Sequence, residues 1–265
     1  MNRPIGVFDS GIGGLTVMKE LMNHLPGEDI IYFGDTARVP YGTKSKETIV
    51  RFSIENVLFL LQFNVKLIVV ACNTSTSLAL DVLKRNFKIP IIGVIRPSVQ
   101  VASEWTRSKR IGVIGTSATI ASGAYQREIK NVNPQIRVFS QSCPLFVPLV
   151  EEGWINEKIT RQIVEKYLTP LKRAKVDALI LGCTHYPLLK RAIQNFMGKD
   201  VRLIDSARQV SLQAKDMLLG EAIVTNKKKG GKYEFYVSDE TGKFSDLSKR
   251  FIGTAITNVK KAKGI

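Results

Sequence analysis

The chain has 265 residues, 44% hydrophobic and 23% charged, enough apolar material for one large α/β domain or two small ones. Its formal net charge is +16, but the basic residues are spread along the chain with modest clusters only at 227–229 and 260–261 and no Arg- and aromatic-rich motif, so a nucleic-acid partner is not expected. No apolar run reaches the roughly 18 residues of a membrane span, and the N-terminus lacks the basic, apolar and cleavage regions of a signal peptide. The expected location is the cytoplasm, with no membrane partner.

In chain order, short β-branched runs are predicted as strands at 5–8, 30–33, 67–71, 91–95, 111–114, 136–139, 178–181 and 201–204. Most are near-continuously apolar, as strands covered on both faces must be. Helical periodicity lies between them, for instance at 46–62, 78–86, 159–172 and 188–196. Alternating strands and helices imply right-handed βαβ units and parallel sheets. A strand ending in proline near Pro97 suggests a domain boundary. After the charged, Gly-containing loop at 227–231, residues 233–237 alternate like an edge strand, and 260–265 read as a frayed end.

The two halves resemble each other. The stretch from Val69 through Cys72 to Thr74 and the stretch from Ile180 through Cys183 to Thr184 are each strand, small residue, cysteine, then threonine. Likewise 5–10 resembles 111–116. The fold class expected is α/β, with two pseudo-symmetric doubly wound parallel-sheet domains facing each other across a cleft.

Ligands of open α/β sheets bind outside the carboxyl ends of the strands. The polar groups there are Asp9 and Ser10, Asp35, Cys72 with Asn73 and Thr74, Thr116, Cys183 with Thr184 and His185, and Asp205 with Ser206. The three cysteines are distant and lack CxxC pairing, and with only two histidines the chain offers neither a disulfide framework nor a metal site. Cys143, followed by Pro144, Leu145 and Phe146, reads as a small buried hydrophobe. Cys72 and Cys183 end apolar strands and begin segments that look like helix starts, Asn73 to Ser75 capping one and Pro187 suiting the first turn of the other. Such a place favours a thiolate. His185, two residues past Cys183, makes a thiol acid/base unit, and Asp9 is read either as a turn residue or as an acid/base partner at the cleft.

The glycines at 11, 13 and 14 are not a dinucleotide fingerprint, because the third position falls on Thr16. Their N–H groups are instead suited to a carboxylate or phosphate. Residues 42–45 lack the order of a P-loop, and no lysine is marked as a pyridoxal Schiff base. On these residues alone, an acid/base enzyme and a thiol-switch binding protein both remain open.

Beyond single motifs, the chain resembles the bacterial glutamate racemase family of the aspartate/glutamate racemase superfamily. The resemblance runs through GVFDSGIGG at 6–14, YFGD at 32–35, PYG at 40–42, ACNT at 71–74, IGVIGTSAT at 111–119, VPLVE at 147–151, LGCTHYPL at 181–188, FYV at 235–237 and RFIG at 250–253. It implies cofactor-free interconversion of L- and D-glutamate by two thiols, one on each face of the α-carbon. In that reading Asp9 assists Cys72, while Glu151 and His185 assist Cys183. Substrate contacts map onto Asp9, Ser10, Pro40, Tyr41, Gly42, Asn73, Thr74, Thr116, Thr119, Thr184 and His185. The resemblance also implies a first domain of 1–95 plus 208–265, a second of 96–207, a homodimer, and D-glutamate supply for peptidoglycan. A racemase of aspartate or another acidic amino acid is the alternative. Arg96 departs from the acidic residue many members carry.

Overall fold

The computed structural model describes residues 3–263. The first half runs β1 (Ile5–Asp9), α1 (Leu15–His24), β2 (Ile30–Gly34), α2 (Lys46–Leu61), β3 (Leu67–Val70), α3 (Asn73–Asn86), β4 (Ile91–Gly93) and α4 (Ile95–Trp105). It continues β5 (Arg110–Gly115), α5 (Ser117–Ala121), α6 (Ala124–Val132), β6 (Arg137–Ser142), α7 (Phe146–Glu151), α8 (Lys158–Arg173), β7 (Ala178–Gly182), α9 (Lys190–Met197) and β8 (Arg202–Asp205). The chain then closes with α10 (Ser206–Gly220), β9 (Tyr233–Val237), α11 (Thr241–Ile252) and β10 (Val259–Lys261).

The strands form two parallel sheets, ordered β10-β9-β2-β1-β3-β4 and β6-β5-β7-β8. Burial on both faces explains the near-continuous apolar strands: β1, β2, β3 and β7 are buried along their whole length. Alternate side chains of the first sheet feed two cores. Phe8, Phe33, Ile68 and Val70 meet Val57, Leu60, Ala79 and Leu83 of α2 and α3. Val7, Tyr32, Leu67 and Val69 join the core that holds Leu15, Met18 and Leu21 of α1, Val210 and Ala214 of α10, and Phe244 and Phe251 of α11. The second sheet divides likewise. Ile111, Val113 and Ile180 pack with Val99, Tyr125 and Ile129 of α4 and α6, while Leu179 and Leu181 share the larger core with Val164, Leu168 and Ile193 of α8 and α9.

This arrangement fixes where a ligand can sit. The helices after β1 and β3 lie on opposite faces of the first sheet, so a crevice opens between those strands at their carboxyl ends. The helices after β5 and β7 diverge in the same way in the second sheet. Each sheet therefore has one switch point, with Asp9 and Cys72 at the first, Thr116 and Cys183 at the second.

The structure corrects four sequence expectations. The fourth strand ends at Gly93, and Ile95 and Pro97 open α4. Pro97 sits in the first helical turn, where a missing N–H breaks no intrahelical bond. The third helix begins at Asn73 rather than at Leu78. Strand β9 is not an edge, since it pairs with β2 on one side and β10 on the other. Residues 260 and 261, expected to fray, belong to β10, where Lys260 and Lys261 pair with Tyr236 and Val237; the last two residues of that expectation lie outside the described ones. Among the described residues, no helix is long and apolar enough to cross a membrane.

Candidate active site

The first switch point presents a thiol beside a carboxyl group. Val70 pairs with Phe8 in the sheet, so Cys72 emerges two residues past the ladder, one strand over from Asp9. Cys72 is itself the cap of α3, its Sγ accepting the Ser75 N–H at 3.5 Å. The sequence assigns that capping to Asn73, Thr74 and Ser75; those residues instead form the first turn, and the Ser75 N–H meets the sulfur. Asp9 is fully buried, one carboxylate oxygen accepting the Gly11 N–H at 3.0 Å. Its other oxygen has no partner among the described residues. Burial raises the Asp9 pKa above the usual carboxylate value, against the His185 charge and the N–H groups of Gly14, Gly11 and Ser10. Burial, and then the Asp9 charge, push the Cys72 thiol up to about 11, outweighing donors from Ser75 and Ser10. At neutral pH this side holds a neutral thiol.

The second switch point is built differently. Gly115 pairs with Gly182, and Cys183 is the next residue, at the mouth of β7. Its Sγ lies 3.9 Å from His185 Nδ1, and His185 Nε2 lies 3.0 Å from Glu151 Oε1. Burial works against a charged His185, but hydrogen bonds to Cys183 and Glu151 and their charges prevail and raise it to about 10. For Glu151, burial raises the pKa, while the bond and charge of His185 and the charge of Lys243 outweigh burial and hold it below its ordinary value. The imidazole is thus an imidazolium at neutral pH, between a sulfur and a carboxylate. The ring is backed edge-on by Phe251, with centroids 5.4 Å apart.

Both thiols line one cavity of about 400 Å³. Its wall includes Ser10, Pro40, Tyr41, Gly42, Asn73, Thr74, Thr116, Glu151, Thr184 and His185. Two further sequence candidates stand behind that wall. Asp9 is buried beneath Ser10 and Gly11, and Thr119 bonds the hydroxyls of Thr116 at 2.9 Å and Thr74 at 3.2 Å. Thr74 and Thr116 are 3.0 Å apart, so three hydroxyls close a ring that joins α3 to α5 across the cleft. Cys143 faces away, its thiol on the Gln141 carbonyl at 3.7 Å, and it does not line the cavity.

Glycines let the two sheets approach. A Cβ on Gly13 would stand 2.2 Å from Thr184 Oγ1 and 2.5 Å from the His185 ring, and one on Gly42 would stand 2.7 Å from Thr116 Cβ. The glycine turn after β1 therefore serves close packing. Its Gly11 N–H is already engaged by Asp9, which revises the expectation of a free anion cradle there.

Several supporting residues were not singled out from sequence. The strap carrying Pro40, Tyr41 and Gly42 is held by the Tyr41 hydroxyl, which donates to buried Asp35 and accepts from Asn56 Nδ2 at 3.2 Å. Asp35 also accepts from Arg38 Nε at 2.7 Å and Ser238 Oγ at 3.0 Å. Tyr125 donates to Asn73 Oδ1 at 2.6 Å. Asp35 was legible as a strand-end carboxylate, but its three partners are brought together only by the fold. Pro144, Val147 and Pro148 supply an apolar wall; the sequence places Val147 and Pro148 in the VPLVE motif without giving them a role at the site. No group of three His, Cys, Asp or Glu side chains among the described residues is arranged to hold a metal ion.

The two parallel sheets each present a thiol at the switch point, and both thiols line one cleft. The chain belongs to the Asp/Glu/hydantoin racemase family, whose model matches residues 5–210. A glutamate racemase of Geobacter metallireducens is 48% identical over 257 residues, covering 97% of this chain and 95% of the relative. Among solved structures, a glutamate racemase isoform of Bacillus anthracis superposes with a TM-score of 0.95 at 38% identity, over 98% of this chain and 97% of that one. A glutamate racemase of Francisella tularensis, solved in complex with D-glutamate, gives a TM-score of 0.92 at 42% identity, over 99% and 98% of the two chains.

Proposed function

We propose that this protein is a glutamate racemase that moves the α-proton of glutamate between Cys72 and Cys183 and supplies D-glutamate for peptidoglycan. The observation that carries the mechanism is the pair of buried thiols in one cavity, one from each sheet, each with its own acid/base partner. Racemisation needs a base on one face of the α-carbon and an acid on the other, and two thiols in one cavity are suited to that. Cys183, with His185 Nδ1 3.9 Å from its sulfur, is the base that removes the proton of L-glutamate. Cys72, a neutral thiol at neutral pH, delivers its proton to the opposite face. In the reverse direction the roles exchange: Asp9 takes up the Cys72 proton, and His185 gives one to Cys183, which delivers it to the opposite face.

The α-proton is far less acidic than a thiol, so the site must stabilise the carbanionic transition state electrostatically. Ser10, Tyr41, Gly42, Asn73, Thr74, Thr116, Thr119 and Thr184 hold the two substrate carboxylates and the ammonium group, with Pro40 shaping the wall. The three-hydroxyl ring opens to donate to a carboxylate when glutamate enters. Closure of a first domain, 1–95 with 208–265, on a second, 96–207, excludes water that would otherwise exchange the proton. The working unit is a cytoplasmic homodimer.

The test is the circular dichroism of L-glutamate, and separately of D-glutamate, incubated with purified protein in D2O without added cofactor. Both signals decay to zero and deuterium enters the α-carbon. Unchanged signals with folded, reduced protein overturn glutamate as the substrate, and decay with aspartate in its place redirects the assignment.

A further inference from the structure

We propose that Arg250 and Phe251 of α11 are positioning residues for the Cys183 side of the site. They hold the Glu151–His185 relay in register from the opposite half of the molecule. This inference rests on the two-thiol reading above.

The argument begins at the end of α7. Gly153 lies at φ +82, and the Trp154 N–H bonds the Leu149 carbonyl while the Gly153 N–H bonds that of Val150. This is a Schellman ending, in which the last turn closes on those two carbonyls. The Glu151 carbonyl is left without a partner in that motif. The Arg250 guanidinium supplies one, donating from Nη1 to the Glu151 carbonyl. It adds a positive charge where the helix dipole is negative. The fit leaves no room for a side chain at 153, where a Cβ would stand 2.9 Å from Arg250 Cζ.

The residue so anchored is the one whose side chain reaches His185 Nε2. The next residue of α11, Phe251, is buried and stands edge-on to the His185 ring, 5.4 Å between centroids. Two turns earlier on the same face, Lys243 lends its charge to Glu151. Helix α11 thus touches the backbone of Glu151, its charge, and the ring of His185. Yet α11 belongs to the C-terminal segment, packing on α1 and β10 beside the first sheet. Glu151, His185 and Cys183 belong to the second. The relay on one side of the cleft is therefore squared by a helix from the other, whereas the Asp9 carboxylate is set by its own turn through Gly11.

The experiment measures alkylation of each thiol by iodoacetamide at neutral pH, read by peptide mass spectrometry, for wild type, Arg250→Met and Arg250→Lys. Arg250→Met slows Cys183 about tenfold, the scale of one lost hydrogen bond to a charged group, and leaves Cys72 within about twofold. Arg250→Lys, which keeps a donor and a charge, restores most of the Cys183 rate. In parallel, the pH dependence of racemisation in Arg250→Met loses the limb that His185 sets. Equal slowing of both thiols, no slowing of either, or no recovery in Arg250→Lys overturns the proposal. The alkylation is read without glutamate, so inactivity towards glutamate counts against the functional reading and not against Arg250.

Discussion

The two sides of the cleft carry the same nucleophilic atom and prepare it in opposite ways. On the Cys72 side, a thiol shares a dry pocket with a carboxyl group that is fully buried and half unpartnered. Burial favours the neutral form of both groups. On the Cys183 side, a buried imidazolium bridges the sulfur to a carboxylate whose side chain is 36% exposed. In the proposed mechanism Cys72 is the acid, kept neutral by desolvation, and Cys183 is the base, beside a relay that leads to solvent. A symmetric reaction with two mirror-image faces does not require mirror-image catalytic groups; it requires one proton fewer than there are thiols to hold it.

The strongest test of this comparison removes either sulfur. Cys72→Ala and Cys183→Ala each abolish racemisation, followed by circular dichroism of glutamate, while each retains a one-sided elimination from an analogue bearing a leaving group. Full racemase activity in either variant would sink the two-thiol mechanism. The next test separates the partners. Asp9→Asn removes the only proton acceptor of its side and lowers kcat by about 10²–10⁴. Glu151→Gln leaves the imidazole in place and lowers kcat by about tenfold, from loss of a charge-assisted hydrogen bond. Equal losses in the two variants would mean the sides work alike.

A third measurement uses pH. His185 is raised from 6.5 to about 10 in the folded protein, chiefly by its bonds to Cys183 and Glu151 acting against burial. Its contribution to stability is complete below pH 6.5 and is lost as pH climbs towards 10. Thermal melts of the wild type fall more steeply through that window than those of His185→Gln, and parallel curves would refute the charge assigned to His185. The smallest effect concerns the third thiol. Cys143→Ala leaves kcat within about twofold and costs on the order of 1 kcal/mol from lost packing, read by denaturant unfolding.

Much of the site was legible because strand ends in parallel sheets are where ligands bind, and the chain marks those ends with Asp9, Cys72, Thr116 and Cys183 after apolar runs. The alternation of strands and helices carried the fold class for the same reason: fully covered strands are apolar throughout. What escaped was set by distant partners. Whether 233–237 is an edge depends on β10 adding beyond it, and three residues at 259–261 have no periodicity to read. That Cys72 caps its own helix depends on backbone geometry, since cysteine is not among the usual capping residues. The reach of Arg250 to Glu151 joins residues whose only common signal is the fold. Gly13 reads as part of a glycine turn and Gly42 as a substrate contact, but the clash that explains both is with Thr184, His185 and Thr116, far along the chain.

The interleaved first sheet has a consequence for synthesis. Strand β2 pairs early with β1 but waits for β9, so Ile30 to Gly34 gain their second neighbour only when Tyr233 to Val237 emerge from the ribosome. The second sheet, made from one unbroken stretch, is complete before that. A chain cut short by stalled translation can therefore own both sulfurs and still lack the wall behind one and the brace behind the other.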